Sequence, residues 1–534
     1  MELDRMDEND WKYHGEGNKS LVVSHVQHCR VLRLLKYPAE DSENPPQTAE
    51  QAFRQIQNIV DFTSNVMSCL LGEKFVHSGE VVRLPLEFVR QLSIKIQHQR
   101  PAWRCDKVMD IYSGCALCLP NLTSPTLHQP TPTPPLCIEI KPKCGFLPSP
   151  KHVSKDIKTR VCRYCMHQHY KVANGKWKRR SLYCPLDLFS GNKQRMHFAI
   201  RHLIEEPQNN LKVFKGGQCI YSSKEGSDES PDTNSLLHHL RPYFLRAYNR
   251  VNGHLTTKAV LNDFIQVLGN ALLSAAGGDG GQVTDRTGEG RSFCEASLFN
   301  RERTRHGSQG LPTNSILSRI LQTQMLDSLD IEGLYPLYCR VEQHLQDFPK
   351  DRTGLQIDGP YDQNFLEKVQ KCSMEDDGSV EYAAAKVHQY RIAMTAKDCS
   401  IMVTLVPSSE EEDNDEELSS QKRLRDFRPQ AFSSSVSVLD LDPKPLDSVP
   451  RQLRLDQKIV SCYLRTGGAL PNGSLPPLPS ILAAEREERA LLSRLCEGTG
   501  SEVKRSPPRE QSDQNPAPVL FYFTTNSQLH SDLS

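Results

Sequence analysis

Apolar residues recur along the chain with two different periods. Residues 21–36 (LVVSHVQHCRVLRLLK) predict two strands with a turn between them, and residues 49–72 carry apolar side chains at helical spacing. Residues 136–141 (LCIEIK) predict a short buried strand, residues 155–173 predict a helix, and residues 436–442 (VSVLDLD) predict a strand. Because strands and helices interleave, the pattern indicates an α+β fold with a small amino-terminal lobe and a larger carboxy-terminal lobe.

Three stretches lack either period. Residues 270–312 are rich in Gly, Ser, Thr and Arg, residues 408–430 begin with the acidic run SSEEEDNDEELSS, and residues 466–534 are rich in Pro and polar residues. Because such compositions bury too little apolar surface to offset the entropy of chain ordering, we expect two disordered insertions and a mostly disordered tail. Within the tail, residues 481–496 favour one short solvated helix.

These shifts in composition divide the chain into units. We expect the amino-terminal lobe at 1–120, a Pro-rich hinge at 121–135 and the carboxy-terminal lobe at 136–465. Hydrophobic residues make up 37% of the 534 residues, which is enough for a large core. No apolar run reaches the length of about 18 residues that a membrane span needs.

Charge and cysteine content narrow the choice of partners. The formal net charge is +0, so a site for an anion must be built locally, and nucleic acid is not a required partner. Most of the 17 cysteines are scattered singly, and the charged amino terminus MELDRMDENDWKYHG lacks the apolar segment of a secretory signal. Both observations favour a reducing intracellular compartment.

A turn that contains two glycines, GEGN at residues 15–18, precedes the first predicted strand. Glycines at such a turn let backbone amides approach phosphate oxygens, and Arg33 and Lys36 on the following strand add positive charge. An ordinary hairpin turn is the alternative. The motif G-x-x-x-x-G-K-[ST] is absent from the sequence, which excludes a P-loop enzyme.

The strand predicted over 136–141 ends in charged residues. Glu139 and Lys141 lie two positions apart and project to one face, while Lys143 follows a proline that forces an extended exit. Cations at a strand end can stabilise a phosphoryl group during transfer, because its oxygens carry the negative charge. The alternative is a solvated strand end with a surface ion pair.

Paired carboxylates occur at the end of the strand predicted over 436–442. Asp440 and Asp442 would share one face, a geometry that suits Mg²⁺ bound to nucleotide phosphates, and Lys444 follows closely. Asp330 is a candidate acceptor for the proton of an attacking hydroxyl. Each aspartate has an alternative interpretation as a cap or turn residue.

One cysteine cluster departs from the scattered arrangement. On the predicted helix, Cys162, Cys165 and His169 would fall within about 60° of one another, and Cys184 would complete a Cys₃His zinc site. Cys144 is the competing ligand, and buried thiols with surface histidines are the alternative. The other face of the helix carries side chains that suit an anion, His167 and Lys171.

Seven blocks occur in order along the chain: HGEGNKSLVV, EIKPKCGF, CPLDLFSGNKQRM, QNNLKVF, DIEGLYPLY, TAKDCSIM and SVLDLDPKP. Together they closely resemble the inositol-pentakisphosphate 2-kinase family in its vertebrate form, over residues 6–460. The resemblance implies transfer of the ATP γ-phosphoryl group to the 2-hydroxyl of inositol 1,3,4,5,6-pentakisphosphate, giving the hexakisphosphate. It also implies a two-lobed fold related to protein kinases and other inositol phosphate kinases.

The resemblance further implies a role for each motif. Lys141 would lie at the transferring phosphoryl group and Asp330 at the attacking hydroxyl, with Asp440 and Asp442 holding Mg²⁺. The residues around ATP would be Gly15, Glu16, Gly17, Asn18, Arg33, Glu139 and Asp440. The residues that grip the pentakisphosphate would be Arg104 from the amino-terminal lobe and Lys143, Lys171, Asn209, Asn210 and Lys444 from the carboxy-terminal lobe. We expect a monomer in the nucleus and cytoplasm.

Part of the substrate site differs from the plant members of that family. Ser448 and Gln452 stand where an arginine and a tyrosine would add substrate contacts, and Arg451 or Arg454 are the candidate replacements. The cysteines of the expected zinc site have no counterpart in the plant members. From the residues alone, the termination of a helix is the preferred interpretation of the adjacent amides at 209–210.

Two other functions compete with the kinase interpretation. A protein kinase would carry the tripeptides H-R-D and D-F-G, and the sequence contains neither. A catalytically inactive scaffold that binds an inositide would not need catalytic groups, whereas Lys141, Asp330 and Asp440 are all present. Both observations favour an ATP-dependent inositide kinase.

Overall fold

The structure is a computed structural model that describes most of the chain. Within the described residues, two antiparallel β-sheets are surrounded by helices, which confirms the α+β class. The acidic run, most of the insertion expected at 270–312 and the helix expected at 481–496 lie outside the described residues. The described ranges are 6–41, 47–124, 133–223, 231–249, 257–274, 310–373, 375–407 and 432–466.

The first sheet is built from the amino-terminal 120 residues. Its strands are β1 (Trp11–Glu16), β2 (Ser20–His25), β3 (Arg30–Pro38), β4 (Glu80–Arg83), β5 (Lys107–Met109) and β6 (Cys115–Pro120), in the order β1-β2-β3-β6-β4 with β5 paired to β3. Leu21 pairs with Leu34 and Val23 pairs with Leu32, and all four side chains are buried on one face. The two strands predicted over 21–36 are therefore confirmed.

One helical segment packs against this sheet, as the periodicity over 49–72 predicts. Thr48 and Gln51 cap its start, because each side chain accepts a hydrogen bond from the other's backbone N–H. Gly72 ends it with a φ of 99°, which glycine adopts without a steric penalty. The segment comprises α1 (Ala49–Phe62), a π-helical turn (Thr63–Met67) and α2 (Ser68–Leu71), and α3 (Leu86–Ile96) follows β4.

The second sheet joins strands that are far apart in the sequence. They are β7 (Leu136–Ile140), β8 (Leu211–Lys215), β9 (Gln218–Tyr221), β10 (Ser400–Pro407) and β11 (Phe432–Leu439), in the order β11-β10-β7-β8-β9. The central position of β7 explains its nearly continuous apolar sequence, because both of its faces are covered. The buried strand predicted over 136–141 is confirmed.

Strand β11 ends earlier than its sequence pattern predicts. It stops at Leu439, and Asp440 adopts a left-handed φ of 61°. Because a strand requires extended backbone, the prediction of a strand through residue 442 is wrong at its carboxyl end. Asp440 and Asp442 therefore do not alternate along one strand face.

Further helices pack around the second sheet, and in the described part of the chain no helix is both long and apolar enough to cross a membrane. These helices are α4 (Arg163–Ala173), α5 (Pro185–Leu188), α6 (Lys193–Glu205), α7 (Thr233–Asn249), α8 (Thr257–Leu273), α9 (Ile316–Gln324), α10 (Asp330–Asp347), α11 (Asp351–Gly354), α12 (Gln363–Gln370), α13 (Val380–Asp398) and α14 (Ser448–Thr466).

Two predicted boundaries in this region are wrong. The helix expected over 155–173 begins only at Arg163, because the Cys162 side chain accepts a hydrogen bond from the Cys165 N–H and so caps α4. A separate 3₁₀ turn occupies Asp156–Thr159. The insertion expected from residue 270 starts later, because the apolar residues Ala271, Leu272 and Leu273 extend α8, with the first two buried in the core.

The two sheets are linked by contacts of β3 and of the segment after α2 with β11 and the residues that follow it. Val76, which follows α2, forms an isolated bridge with Val438 of β11, and the neighbouring His77 ring lies 3.1 Å from the Ser437 hydroxyl. Arg33 of β3 donates to both carboxylate oxygens of Asp442, with 2.7 Å between Nη1 and Oδ1. These contacts place the ends of β7, β10 and β11 opposite the first sheet.

Glu16, at the end of β1, belongs to a buried ion-pair cluster. Arg100 donates to both of its carboxylate oxygens at 2.8–2.9 Å, and Lys36 Nζ lies 2.5 Å from Oε2. All three side chains are at most 2% exposed. The side chains of Glu16 and Lys36 are thus directed into the amino-terminal core, whereas contact of the Glu16 backbone with nucleotide phosphates stays a prediction.

Removing the Glu16 carboxylate should destabilise the first sheet. Glu16→Ala leaves Arg100 and Lys36 buried without their counter-charge, which costs about 3 kcal/mol. Thermal unfolding should therefore show a lower melting temperature. Glu50→Ala is a matched control, because Glu50 forms ion pairs with Arg54 and Arg83 at the surface. Equal melting temperatures for the two variants would contradict a structural role for Glu16.

Candidate functional site

The charged residues at the end of β7 meet the start of β10 and the end of β11. Lys141 Nζ lies 2.7 Å from Asp440 Oδ2 and 4.0 Å from Glu139 Oε1. The Ser400 hydroxyl, 2.7 Å from Asp440 and 3.1 Å from Glu139, links the two carboxylates. The expectation that Glu139 and Lys141 project to one side is confirmed, and three distant segments contribute to one polar cluster.

Both members of the Lys141–Asp440 pair are held in their charged forms. Desolvation opposes the ionisation of Asp440, but the charge and hydrogen bond of Lys141, with smaller effects of Ser400 and Arg33, lower its pKa to about 2. Desolvation likewise opposes the charge of Lys141, but Asp440 and Glu139 raise its pKa above the usual value. The pair therefore presents a fixed ammonium and a fixed carboxylate at neutral pH.

Asp442 takes a different partner from Asp440. Its carboxylate faces Arg33 of β3 rather than the Lys141 cluster, so it joins the two sheets. The expectation that Asp440 and Asp442 project from one strand face is therefore wrong, whereas their joint binding of Mg²⁺ stays a prediction. The left-handed φ of Asp440 is the cause, because it turns the chain between the two carboxylates.

The glycine-containing turn at 15–18 lies at the end of β1 with an open backbone. A methyl group added at Gly15 or Gly17 would meet no described protein atom within 4 Å. The Gly17 N–H donates to the Ser20 carbonyl at 2.9 Å, and the Asn18 side chain accepts from Lys107 Nζ at 2.6 Å. Because no protein atom packs closely against these two glycines, a ligand has space to approach the backbone of the turn.

A cavity with many charges lies among α4, α10, α13 and α14. It brings together five predicted residues, Lys143, Lys171, Asn209, Asp330 and Lys444. The remaining charged residues that line it were not predicted; they are the cations Lys158, Arg163, Lys176 and Lys397 and the acids Asp327, Asp398 and Asp456.

Asp398 joins two of the predicted substrate cations. Its carboxylate oxygens lie 2.9 Å from Lys143 Nζ and 2.9 Å from Lys444 Nζ. Desolvation opposes ionisation, but these two cations lower the pKa of Asp398 well below its usual range. The residue lies inside the block TAKDCSIM, directly before the buried strand β10, and that position is the signal that could have identified it.

Lys158 is the centre of a second ion-pair cluster. Its buried ammonium lies 2.6 Å from Asp330, 2.9 Å from Glu332 and 2.7 Å from Asp456. Burial raises the pKa of Asp330 to about 6, although Lys158 acts in the opposite direction. No sequence pattern marks Lys158, because its three partners come from α10 and α14.

The amides at 209–210 have two different environments. Asn209 lines the cavity, and within the described residues its buried Oδ1 has no hydrogen-bond partner. Asn210 instead lies beneath Lys141, exchanging hydrogen bonds with its backbone: Asn210 Nδ2 donates to the Lys141 carbonyl at 3.1 Å, and the Lys141 N–H donates to the Asn210 carbonyl. Asn209 is placed to meet a ligand, whereas Asn210 orients Lys141.

Arg104 does not line the cavity in this structure. It ends a 3₁₀ turn after α3, and its guanidinium lies 4.3 Å from the centre of the Trp103 ring. Lys171, by contrast, is buried in the cavity wall, where it donates to Gln208 Oε1 at 3.1 Å. Four of the predicted substrate residues thus lie together at the cavity, whereas Asn210 and Arg104 do not line it; the four are Lys143, Lys171, Asn209 and Lys444.

Left-handed backbone is concentrated at this site. Four of the five described non-glycine residues with positive φ are Lys143 (60°), Gln208 (48°), Asp330 (58°) and Asp440 (61°). Each such conformation costs about 1 kcal/mol or more, so surrounding contacts must enforce it. The backbone is therefore bent at the residues that present the charged side chains.

The cysteine cluster is present, but with a different composition from the prediction. The Sγ atoms of Cys162, Cys165 and Cys184 lie within 4.8 Å of one another, all buried. His169 is elsewhere: its ring nitrogens contact Thr466 at 3.0 Å and Arg180 at 2.7 Å. Because α4 begins at residue 163, the helical angles expected for Cys162 do not apply, and His169 as a zinc ligand is wrong.

The family model described as inositol-pentakisphosphate 2-kinase matches residues 13–458. An inositol-pentakisphosphate 2-kinase of Danio rerio is 58% identical over 501 residues, which is 92% of this chain and 99% of that protein. Proteins of that name from Oryza sativa subsp. indica and Arabidopsis thaliana are 29% and 28% identical, over 86% and 87% of this chain and 95% of each relative.

Proposed function

The chain belongs to the inositol-pentakisphosphate 2-kinase family, and we propose that Lys141, Asp440 and Asp398 carry its reaction. That reaction transfers the γ-phosphoryl group of ATP to the 2-hydroxyl of inositol 1,3,4,5,6-pentakisphosphate and gives the hexakisphosphate. The observation that supports this placement is the Lys141–Asp440 pair, because its electrostatic neighbour Asp398 lines a cavity that also contains seven cations.

ATP would bind between the two sheets, in a two-lobed arrangement related to that of kinases. The open backbone at Gly15 and Gly17 would cover the phosphates, and Arg33, fixed by Asp442, would add a charge from the first sheet. Glu139 would lie in the nucleotide pocket. This arrangement is supported by the contacts that join β3 and α2 to β11.

Mg²⁺ would be held by Asp440 together with the nucleotide phosphates. The carboxylate fits a hard cation, because its oxygens are ionised and the Ser400 hydroxyl fixes their orientation. The ion, when bound, neutralises charge on the phosphate oxygens. Lys141 is 2.7 Å from the same carboxylate, so its ammonium reaches the position where the transferred group gathers negative charge.

Asp398 is better placed than Asp330 to accept the proton of the 2-hydroxyl. It lies two residues before Ser400, a partner of Asp440, and its charge acts on Lys141. Asp330 is engaged by Lys158 in the second cluster, which Glu332 and Asp456 complete. We therefore reassign the proton acceptor to Asp398 and assign Asp330 to shaping the cavity.

The inositide would occupy the cavity, with phosphates at Lys143, Lys444 and Lys171 and a hydroxyl or phosphate at Asn209. Several converging cations can compensate a polyanion when it leaves water. The 2-hydroxyl would then face Lys141 and Asp398. Lys143 and Lys444 already flank one carboxylate at 2.9 Å, so they are spaced to hold an anion between them.

We propose zinc for the cluster of Cys162, Cys165 and Cys184, where it would stabilise the start of α4. Three buried thiol sulfurs within 4.8 Å of one another fit a structural zinc site. Cys144, the competing ligand, lines the cavity instead and is not a member of the cluster. The ion would fix Cys162, which caps the helix that carries Lys171.

We further propose that the enzyme acts as a monomer in the nucleus and cytoplasm. None of the fifteen cysteines that the structure describes forms a disulfide, which suits a reducing compartment.

The basic test is incubation with ATP, Mg²⁺ and the pentakisphosphate, followed by identification of the hydroxyl that gains phosphate. Lys141→Met should lower kcat by about a hundredfold to a thousandfold, because one preorganised charge at the transferring group is lost. Lys12→Met, on the solvent side of β1, is the control with the same loss of charge. Binding of the inositide without any turnover by the unmodified protein would instead support a scaffold.

Asp398→Asn and Asp330→Asn separate the two candidate proton acceptors. Asp398→Asn should lower kcat by about 10²- to 10⁴-fold, the usual effect of losing a general base. Its KM for the pentakisphosphate should be unchanged or lower, because a competing carboxylate between Lys143 and Lys444 is removed. Asp330→Asn should change kcat by less than about tenfold, well below the effect of losing a general base, because Glu332 and Asp456 still hold Lys158. The reverse pattern would restore the role to Asp330.

Metal analysis tests the cysteine cluster. Purified protein should contain about one equivalent of zinc, as one three-thiol site would bind one ion. The double variant Cys162→Ser, Cys165→Ser should lose it, whereas His169→Ala and Cys144→Ser should retain it. Loss of zinc in either control variant, or its absence from the unmodified protein, would contradict this assignment.

A further inference from the structure

Lys444 is the one cation that the described part of the chain after β11 contributes to the cavity. The other residues of that part that line the cavity are Gln452, Leu455 and Asp456. Arg451 and Arg454, the replacements expected from the sequence, are not among them, and Arg451 instead lies 3.6 Å from Asp447. Because no other described cation from this side can replace Lys444, its ammonium must be placed accurately.

Arg391, in the middle of α13, is a buried guanidinium that is not among the described residues lining the cavity. Only 5% of its surface is exposed. Within the described chain, its recorded partners are the carbonyl oxygens of Ile357 and Lys444, the Tyr361 hydroxyl and a ring nitrogen of His388. These partners include no carboxylate, although burial of an uncompensated cation is costly. The side chain therefore acts through its N–H groups rather than through an ion pair.

Two donors on one face of α13 hold the segment between β11 and α14. Arg391 Nε donates to the Lys444 carbonyl at 2.5 Å, and the Thr395 hydroxyl donates to the Asp442 carbonyl at 2.9 Å. The donors are four residues apart, so they are neighbours on the helix surface. They fix the backbone from which the Lys444 side chain extends to Asp398, with 2.9 Å between the ammonium and the carboxylate.

The Nη groups of the same guanidinium are anchored to the loop between α11 and α12. Nη1 lies 2.7 Å from the Ile357 carbonyl oxygen, and Nη2 lies 3.5 Å from the Tyr361 hydroxyl. His388, also on α13, donates from Nε2 to the Leu355 carbonyl at 2.9 Å and accepts at Nδ1 from Arg391 at 3.4 Å. Burial, with Arg391 nearby, lowers the pKa of His388 to about 3, so the ring is neutral, as these two bonds require.

The loop that accepts these hydrogen bonds is itself held in place. Asn58 and Asn65, on α1 and the π-helical turn after it, donate through Nδ2 to carbonyl oxygens of the loop at 2.9 and 2.8 Å. Gln356, the fifth described non-glycine residue with a positive φ (52°), donates to another carbonyl of the loop at 2.9 Å. Such backbone persists only where surrounding contacts enforce it. Arg391 therefore connects Lys444 to a fixed anchor.

We propose that Arg391 is a positioning residue, which ties the backbone of Lys444 to the loop at 355–361 and so sets where the Lys444 ammonium lies. A lysine side chain has several rotatable bonds, so its ammonium is placed accurately only when its backbone is fixed. Asp398 holds the ammonium end of this side chain, and Arg391 holds the backbone end. The inference rests on the proposed function, in which Lys444 binds the inositide.

Steady-state kinetics with Arg391→Met test the proposal. Because the Lys444 backbone is released, the KM for the pentakisphosphate should rise by about tenfold, as for one hydrogen bond to a charged group. The kcat should stay within about threefold and the KM for ATP within about twofold, because Lys143 still contacts Asp398 and Thr395 still holds Asp442. A purely structural role would instead reduce the amount of folded enzyme, which lowers the apparent kcat and leaves both KM values unchanged.

Arg340→Met is the matched control. Arg340 of α10 pairs with Asp376 and donates to the Ser379 carbonyl at the start of α13 at 3.2 Å, but it is not among the described residues that contact Lys444 or line the cavity. Both KM values of this variant should stay within about twofold of those of the unmodified enzyme. An equal rise for both variants, or no rise for Arg391→Met, would overturn the proposal.

Arg391→Lys keeps the buried charge and guards against misfolding of the methionine variant. One ammonium cannot replace the planar set of donors that reaches both the Lys444 carbonyl and the loop. The KM for the pentakisphosphate should therefore still rise, with melting temperature as the check that the protein is folded. An unchanged KM for folded Arg391→Lys would show that charge alone suffices and would overturn the proposal.

A double-mutant cycle identifies the residue through which Arg391 acts. Lys444→Met should raise the KM by about tenfold to a hundredfold, and adding Arg391→Met should raise it by less than about twofold further. Full multiplication of the two effects would overturn the positioning role. If Lys444→Met alone left the KM unchanged, the place of Lys444 in the proposed function would fail and the inference with it. A rise for Lys444→Met without one for Arg391→Met would overturn the inference alone.

Discussion

The cavity depends on carboxylates that hold mutually repelling cations in place. Lys143 and Lys444 can approach each other because Asp398 lies 2.9 Å from both ammonium groups. Two like charges at about 4 Å repel by about 4 kcal/mol when the effective dielectric constant is near 20. Lys158 shows the converse, because one ammonium brings three carboxylates together. A chain with no net charge thereby builds a locally cationic wall.

The pairing of cations with carboxylates around the cavity affects which anions the cavity can bind. A ligand must compete with carboxylates that already satisfy the cations, and it must lose its own hydration. A single phosphate gains too few contacts to offset those costs, whereas a ring with several phosphates engages several cations at once. On the proposed function, the internal carboxylates therefore favour highly phosphorylated inositols over simpler phosphates.

The reacting groups are carried by bent segments at the ends of buried strands. Strand β7 lies at the centre of the second sheet, so the position of Lys141 is fixed by β8 and β10 on either side. The left-handed backbone at Lys143 and Asp440 then turns their side chains out of the strand directions. Because the sheet is rigid and the residues that follow its strands have strained backbone, the charged side chains are positioned accurately without long loops.

Features with a local cause could be predicted from the sequence. The alternation over 21–36 and the helical spacing over 49–72 indicate that one face of each element is buried. Such a pattern depends only on residues that are close in the sequence. The placement of Glu139 and Lys141 on one side follows from the geometry of a strand. The family and its reaction also came from the sequence, because seven ordered blocks identify a common ancestry more strongly than any single site residue.

Tertiary structure alone decided which charges meet. Glu16 lies in a glycine motif that suggests a phosphate site, yet Arg100, 84 residues away, draws it into the core. Asp442 pairs with Arg33 across 409 residues, and Lys158 gathers carboxylates 172 to 298 residues away. Ion pairing depends on distance in space, and the sequence specifies that distance only through the complete packing of the chain.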